Sequence, residues 1–207
     1  MTRNRTLRGQ GLTWAPTRSS AASDRSTSPI YQLKVTLANI RPPIWRRLQV
    51  RGDISLFRLH EILQRAMPWT DSHMHQFIVG RTYYGRADSQ LRMEILSDRS
   101  NTLAEVAPAP RRRFIYEYDF GDSWEHEIVV EKILPSDAPA RCPECLAGER
   151  ACPPDDCGGF PGYEHLLKVL GDSKHPDHEE MREWLGRLFD PEAFDLVSVN
   201  RRLGRLR

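Results

Sequence analysis

The sequence has no apolar run close to the roughly 20 residues that a membrane-spanning helix needs. Its first residues also lack the apolar segment of a secretory signal. These two absences predict a soluble, cytoplasmic protein without a membrane partner. At 207 residues with 39% hydrophobic residues, the chain is long enough for one well-filled core.

A strong net charge is missing as well, because the formal charge is only +2. Residues 1–29 carry five arginines against one aspartate, which leaves a charge of −2 for residues 30–207. The first segment is rich in Arg, Ser and Thr and has neither helical nor strand periodicity, so we predict a disordered basic arm. Such an arm can contact nucleic acid or an acidic partner, or it can be an inert leader. Residues 30–207 are predicted to form a single domain whose surface is not basic.

The domain begins with a clear alternation of apolar and polar residues. This alternation predicts a strand over 30–37, and a second strand over 44–50 follows a turn that contains Pro42 and Pro43. Ser55 then suits the N-cap of a helix whose apolar stripe ends before Pro68. The order predicts an N-terminal β-hairpin–helix unit.

A second hairpin is predicted over residues 113–133 and is expected to be central in its sheet. Its first strand has one aromatic face that extends to Phe120, followed by a turn that contains Gly121. The second strand places Trp124 and His126 on one apolar face. A histidine that faces inward needs partners for its ring nitrogens, so His126 is either a satisfied structural residue or part of a site.

A polar pocket is predicted beside this hairpin. His73 and His75 stand at i, i+2 in a predicted strand over 73–79, where both imidazoles would project from one face and could hold a metal. Arg46 falls among apolar positions, so it is expected either at a sheet edge or paired with Asp119 or Asp122. The predicted pocket has seven members: Arg46, His73, His75, Asp119, Asp122, Trp124 and His126.

All four cysteines fall in an annex at about residues 135–162 that is rich in Pro, Gly and Asp. Cys142, Cys145, Cys152 and Cys157 have the pattern C-x2-C-x6-C-x4-C, which predicts a structural zinc site. Disulfides are disfavoured inside cells, so clustered cysteines favour a metal there. The alternatives are packed, reduced thiols, or a site in which His165 replaces one sulfur.

The end of the chain predicts two packing helices. One extends from Pro161 to Gly171, and the other starts at Pro176. The second helix has an apolar stripe of Met181, Trp184, Leu185 and Leu188. The arginine-rich end from Arg201 is expected to be frayed or to lie on the surface. Together the elements predict an α+β fold with a mixed or antiparallel sheet.

Five segments carry a resemblance to a known family. They are PPIWRRLQV, LHEILQRAMPWTDSHMHQF, YEYDFGDSWEHEIVVEKI, CLAGERACPPDDCGGFPGYEHLL and FDPEAFD. In this order they resemble the plasmid pRiA4b ORF-3-like family, some of whose members are labelled transposon passenger TnpR proteins. The resemblance runs from about Tyr31 to Leu203 and implies an α+β fold in which a β-hairpin precedes a helix. It also implies an unassigned biochemical role and a recurring cysteine motif at Cys145, Cys152 and Cys157.

Two functions are compatible with these observations. The first is a non-enzymatic binding or adaptor protein in which structural zinc braces the annex and a groove meets a protein or nucleic acid. An association with mobile elements belongs to this hypothesis. The second is a metal-dependent hydrolase or nuclease that uses the predicted His/Asp pocket. The absence of a basic face favours the binding protein.

Overall fold

The structure is a computed structural model that describes residues 28–86, 94–138, 140–186 and 188–206. The predicted arm lies outside the described residues except for Ser28 and Pro29. Within the described ranges, none of the helices combines the length and the apolar character that a membrane crossing requires.

In the described residues the chain forms eight strands and five helices. In chain order they are β1 (Ile30–Leu37), β2 (Trp45–Arg51), α1 (Leu56–Ala66), β3 (His75–Val79), β4 (Thr82–Gly85), β5 (Ile95–Ser97), α2 (Leu103–Val106), β6 (Arg113–Tyr118), β7 (Trp124–Leu134), β8 (Glu144–Glu149), α3 (Gly159–Gly171), α4 (His178–Leu185) and α5 (Leu196–Leu203). The eight strands form one sheet in the order β5-β4-β3-β6-β7-β1-β2-β8. Only the β4–β5 pair is parallel, so the sheet is mixed and the predicted α+β class is confirmed.

The predicted β-hairpin–helix unit is formed by β1, β2 and α1. Alternate residues of β1 and β2 are buried, as expected for strands with one covered face. The Ser55 side chain accepts a hydrogen bond from the Arg58 amide at 3.1 Å and caps α1. Leu59, Ile62 and Leu63 of α1 are buried in the core, so this helix covers the sheet.

The hairpin of β6 and β7 lies between β3 and β1, which confirms its predicted central position. The aromatic face was predicted to extend to Phe120, but the strand ends before that residue. β6 ends at Tyr118, and Asp119 has a φ of 57°, so the chain turns and Phe120 is 45% exposed. The Asp119 Oδ1 atom accepts the Gly121 amide at 2.9 Å and stabilises this turn.

Arg46 fixes the β2–β8 end of the sheet and has different partners from those predicted. Its guanidinium is buried and donates to four backbone carbonyls and to one sulfur atom. These acceptors are the oxygens of Trp45, Ala66, Glu149 and Arg150 and the Sγ of Cys152. The predicted partnership with Asp119 or Asp122 is therefore wrong, because the bends after α1 and β8 supply carbonyl acceptors closer at hand.

The predicted stripe of α4 packs only in part. Met181 and Leu185 are partly buried against the core, whereas Trp184 and Leu188 are 48% and 88% exposed.

Of the two alternatives predicted for the segment from Arg201, the surface position fits Arg201 and Arg205, which are exposed. Leu203 between them is buried, because α5 packs on β8 and α1. Asn200 of α5 accepts the Cys145 amide and donates to the Cys145 carbonyl, both at 2.8 Å.

Candidate functional site

A cleft of about 640 Å³ opens beside α1, the start of β3 and the turn that follows β5. This volume is within the range of small-molecule sites, which is about 300–1,000 Å³. Its lining is unusually rich in histidine and aspartate. The residues that matter for its chemistry are Phe57, His60, Asp71, His73, His75, Asp98 and Arg99.

The innermost polar group is His60, which is held in a closed ring of hydrogen bonds. The Gln64 amide donates to the Tyr116 hydroxyl at 3.0 Å, and that hydroxyl lies 2.8 Å from His60 Nδ1. His60 Nε2 lies 2.8 Å from Asp71 Oδ1, and the Asp71 amide donates to Gln64 Oε1 at 3.0 Å. Because burial raises the pKa of Tyr116, its hydroxyl keeps its proton and can donate to Nδ1. His60 therefore carries its proton on Nε2 and is a neutral imidazole.

His60 and His75 form a stacked pair, with ring centroids 3.5 Å apart and planes 6° from parallel. Burial, and next the charge that His75 can carry, lower the pKa of His60 to about 4, against the opposing effect of Asp71. Two positive imidazoles at this distance would repel each other strongly. His60 is therefore the neutral member of the stack near neutral pH.

His75 is oriented by a buried carboxylate. Its Nε2 lies 2.9 Å from Asp98 Oδ2, and Asp98 is itself held at the start of α1, where its carbonyl accepts the Phe57 amide at 2.9 Å. When His75 is neutral, Nε2 carries the proton and donates it in a hydrogen bond to the Asp98 carboxylate, which leaves the lone pair on Nδ1. Nδ1 has no hydrogen-bond partner among the described residues. It is an open acceptor on a ring that lines the cleft.

Arg99 forms the outer wall of the cleft. Its guanidinium lies over the Phe57 ring, 3.6 Å from the centroid. Within the described parts of the chain, this guanidinium has no carboxylate partner. A planar guanidinium that is held flat presents its N–H groups as a fork for an acidic ligand.

The rim of the cleft holds a third His/Asp group. His73 Nε2 lies 2.9 Å from Asp156 Oδ1 and 3.6 Å from Asp119 Oδ2. One ligand atom from each residue lies within 4.8 Å of the others, and no other such group occurs in the described ranges. His73 lies before the start of β3, so it does not share a strand face with His75 as predicted. Of the predicted pocket, the structure brings together His73 and Asp119.

The other predicted pocket members have structural contacts. His126 is fully buried, with Nδ1 3.2 Å from the Tyr116 carbonyl and its ring at the edge of Trp69. Burial lowers the pKa of His126 to about 4, so this ring is neutral. Trp124 is buried in the core, and Asp122 Oδ2 accepts the Gly158 amide at 3.2 Å before α3.

The four cysteines are free, and they have separate surroundings. Cys145 is buried on β8, and Cys152 lies against Arg46 and Met67. Cys142 precedes β8, where burial raises its pKa, and burial with the charge of Asp122 raises the pKa of Cys157 to about 12. All four lie in the described residues, and no three ligand atoms that include a cysteine come within 4.8 Å of one another. The structure does not assemble them into a tetrahedral site, and His165, the predicted substitute ligand, is exposed.

Sequence reasoning missed Asp71, Asp98 and Arg99 as site residues. Asp98 reaches His75 across 23 positions, in a polar region where periodicity gave no firm element. A usable signal existed on α1, because His60 and Gln64 are polar residues at i, i+4 beside a buried stripe. Such a pair must find partners inside the fold.

Comparison with known proteins places this chain in a family. A family model described as plasmid pRiA4b ORF-3-like protein matches residues 29–198. The uncharacterized protein y4hQ of Sinorhizobium fredii is 37% identical over 174 residues, which are 83% of this chain and 89% of y4hQ. The crystal structure of MM3350, a protein of unknown function from Methanosarcina mazei Go1, has 35% sequence identity and a TM-score of 0.75, and the match covers 84% of this chain and 98% of that one. The chain belongs to the plasmid pRiA4b ORF-3-like family.

Proposed function

We propose that the protein is a non-enzymatic binding module that takes up a small acidic molecule, with a carboxylate or phosphate group, in the cleft. The observation that carries this proposal is the Arg99 guanidinium, which is held flat on Phe57 without a carboxylate partner in the described residues. A charged hydrogen bond from such a fork is about twice as strong as a neutral one. The packing on Phe57 also reduces the conformational freedom that Arg99 would lose on binding.

His75 supplies the second recognition group. Asp98 fixes its ring, and Nδ1 can accept a hydroxyl or amide proton from the ligand, or can donate when the ring is protonated. The stacked, neutral His60 supports the His75 ring from its other side. A ligand with an acidic group for Arg99 and a neighbouring hydrogen-bond donor for His75 fits this pair. Binding of this kind needs no reactive group.

We further propose that the protein works in the cytoplasm and is associated with mobile elements. Four free thiols are typical of a reducing compartment, which supports a cytoplasmic location. The plasmid in the family's description supports an association with mobile elements. The transposon-passenger label and the structural zinc remain predictions.

The test is calorimetric titration of the full chain with orthophosphate and with succinate, against neutral succinamide as the ligand control. We expect saturable binding of an acid and no binding of the amide, with affinity that falls as salt rises. Arg99→Ala should weaken the binding about tenfold or more, as expected for a charged hydrogen bond of about 1.5–3 kcal/mol. Arg112→Ala, at an exposed arginine outside the cleft lining, is the matched control. Equal binding by the two variants, or no binding of either acid, would overturn the proposal.

A further inference from the structure

We infer that His73, Asp119 and Asp156 bind one divalent cation at the rim of the cleft. Each residue offers one ligand atom, and the three atoms lie within 4.8 Å of one another. Around a metal with ligand bonds of about 2.1 Å, tetrahedral ligand atoms stand about 3.4 Å apart. The observed separations of 2.9 and 3.6 Å from His73 Nε2 bracket that value.

The state of His73 Nε2 argues against a simple ion pair. This nitrogen is buried, and although Asp156 Oδ1 is 2.9 Å away, the two atoms are not aligned as a hydrogen bond. A buried ring nitrogen without an aligned partner is costly, so such atoms need an explanation. A cation bound by the Nε2 lone pair and by both carboxylates supplies one.

Charge supports the same conclusion. Two carboxylates face one imidazole here, and within the described ranges no lysine or arginine forms an ion pair with either of them. Like charges so close together disfavour each other unless a cation lies between them. A divalent ion offsets both negative charges.

The fold leaves the required oxygen atoms available. Asp119 Oδ1 is occupied by the Gly121 amide, so Oδ2 is the atom near His73. Asp156 follows the buried Cys152 segment and is 67% exposed at its side chain, which leaves room for solvent on the metal. One imidazole and two carboxylates with an open position suit Zn²⁺ or Mn²⁺ more than Ca²⁺, which prefers six to eight oxygens.

This cation site differs from the predicted cysteine site and does not depend on the acidic ligand. The cation site and the cleft are nevertheless neighbours, because His73 also lines the cleft. A cation at this rim would add a positive charge beside the position proposed for the acid. The cation would join His73 and Asp119 of the predicted pocket to Asp156 of the annex, which the sequence did not indicate as a ligand.

The experiment is calorimetric titration of the tag-free full chain with Zn²⁺ and with Mn²⁺, together with the visible absorption of the Co²⁺ complex. We expect one equivalent of cation. Changes in groups that only support metal ligands cost about 10–100-fold in affinity, so His73→Ala and Asp156→Asn should each cost at least that much. The matched control for Asp156→Asn is Asp137→Asn, at an exposed aspartate.

The outcomes separate the alternatives. If His73→Ala fails to fold, the exposed Asp156→Asn decides alone. Unchanged affinity in Asp156→Asn, or no cation bound by the wild-type chain, would overturn the site. Binding that is lost with Cys145→Ser and Cys152→Ser but kept in Asp156→Asn would assign the metal to the cysteines instead.

Discussion

The two ends of the sheet bury polar side chains in opposite ways. At the β2–β8 end, the Arg46 guanidinium finds five acceptors, four of them backbone carbonyls. Towards the other end, beside β3, His60 is satisfied, but the stacked His75 keeps one nitrogen without a partner in the described residues. The fold fixes the main-chain acceptors, so Arg46 stabilises the folded chain. A ring nitrogen without a hydrogen-bond partner beside a cleft is available for a ligand.

The largest effect is expected at the β2–β8 end, where all the partners of Arg46 lie inside the protein. Arg46→Met removes the donor and leaves buried carbonyl acceptors without it, at about 1–3 kcal/mol for each one left unpaired, so it should lower the free energy of unfolding by about 3–5 kcal/mol. Urea denaturation measures this. Arg47→Met is the control on the same strand, because its half-exposed ion pair with Glu131 should contribute only about 1 kcal/mol or less. Similar losses in both variants would erase the contrast between the two ends.

A second test uses pH on the sheet centre, between the two ends. The pKa of His126 is about 4 in the folded chain and about 6.5 when unfolded, so below pH 6.5 the unfolded chain binds the extra proton. The stability contributed by neutral His126 is present above pH 6.5 and is lost as pH falls towards 4, by up to about 3 kcal/mol. His126→Leu cannot titrate, so its stability difference from the wild type should change by that amount over this range. A stability difference that stays constant between pH 6.5 and pH 4 would contradict this prediction.

The ring of hydrogen bonds around His60, beside β3, can be tested by itself. Tyr116→Phe removes the hydroxyl that joins Gln64 to His60, which leaves a buried donor and a buried acceptor unpaired. We expect a loss of about 1–2 kcal/mol in the free energy of unfolding by urea. Tyr83→Phe serves as the comparison, since the Tyr83 hydroxyl has no hydrogen bond within the described residues. Equal values for both tyrosines would mean that the ring of hydrogen bonds adds nothing.

The smallest effect is expected at the cleft wall. Arg99→Ala should change the free energy of unfolding by no more than about 0.5 kcal/mol, because Arg99 is exposed and has no carboxylate partner among the described residues. Thermal unfolding without added ligand measures this directly. A loss near that of Arg46→Met would show that Arg99 is a structural arginine and would weaken its proposed role in binding.

Periodicity predicted most of the fold because it depends only on which faces are buried. The strands of the first hairpin, the Ser55 cap and the inward side of His126 were all predictable in this way. The α4 stripe was predictable only in part, because an amphipathic pattern cannot show how much of an apolar face finds a partner. Met181 and Leu185 pack against the core, whereas Trp184 remains exposed.

The candidate site was less predictable for two physical reasons. Every residue type has a backbone carbonyl oxygen, so no sequence pattern predicts which carbonyls accept hydrogen bonds from Arg46. Asp156 reaches His73 across 83 positions, and spacing along a loop does not fix direction in space. The cysteine pattern shows the same limit, since Cys145 and Cys152 point to different neighbours.

The bond between α5 and β8 has a consequence for how copies of this chain behave together. β8 is the last strand of the sheet, and an unpaired edge strand invites another chain to extend it. Asn200 takes both outward backbone groups of Cys145, as the next strand would. The side chain thus occupies the edge near the start of β8. A single amide therefore fills one pair of the backbone groups through which a second copy could extend the sheet.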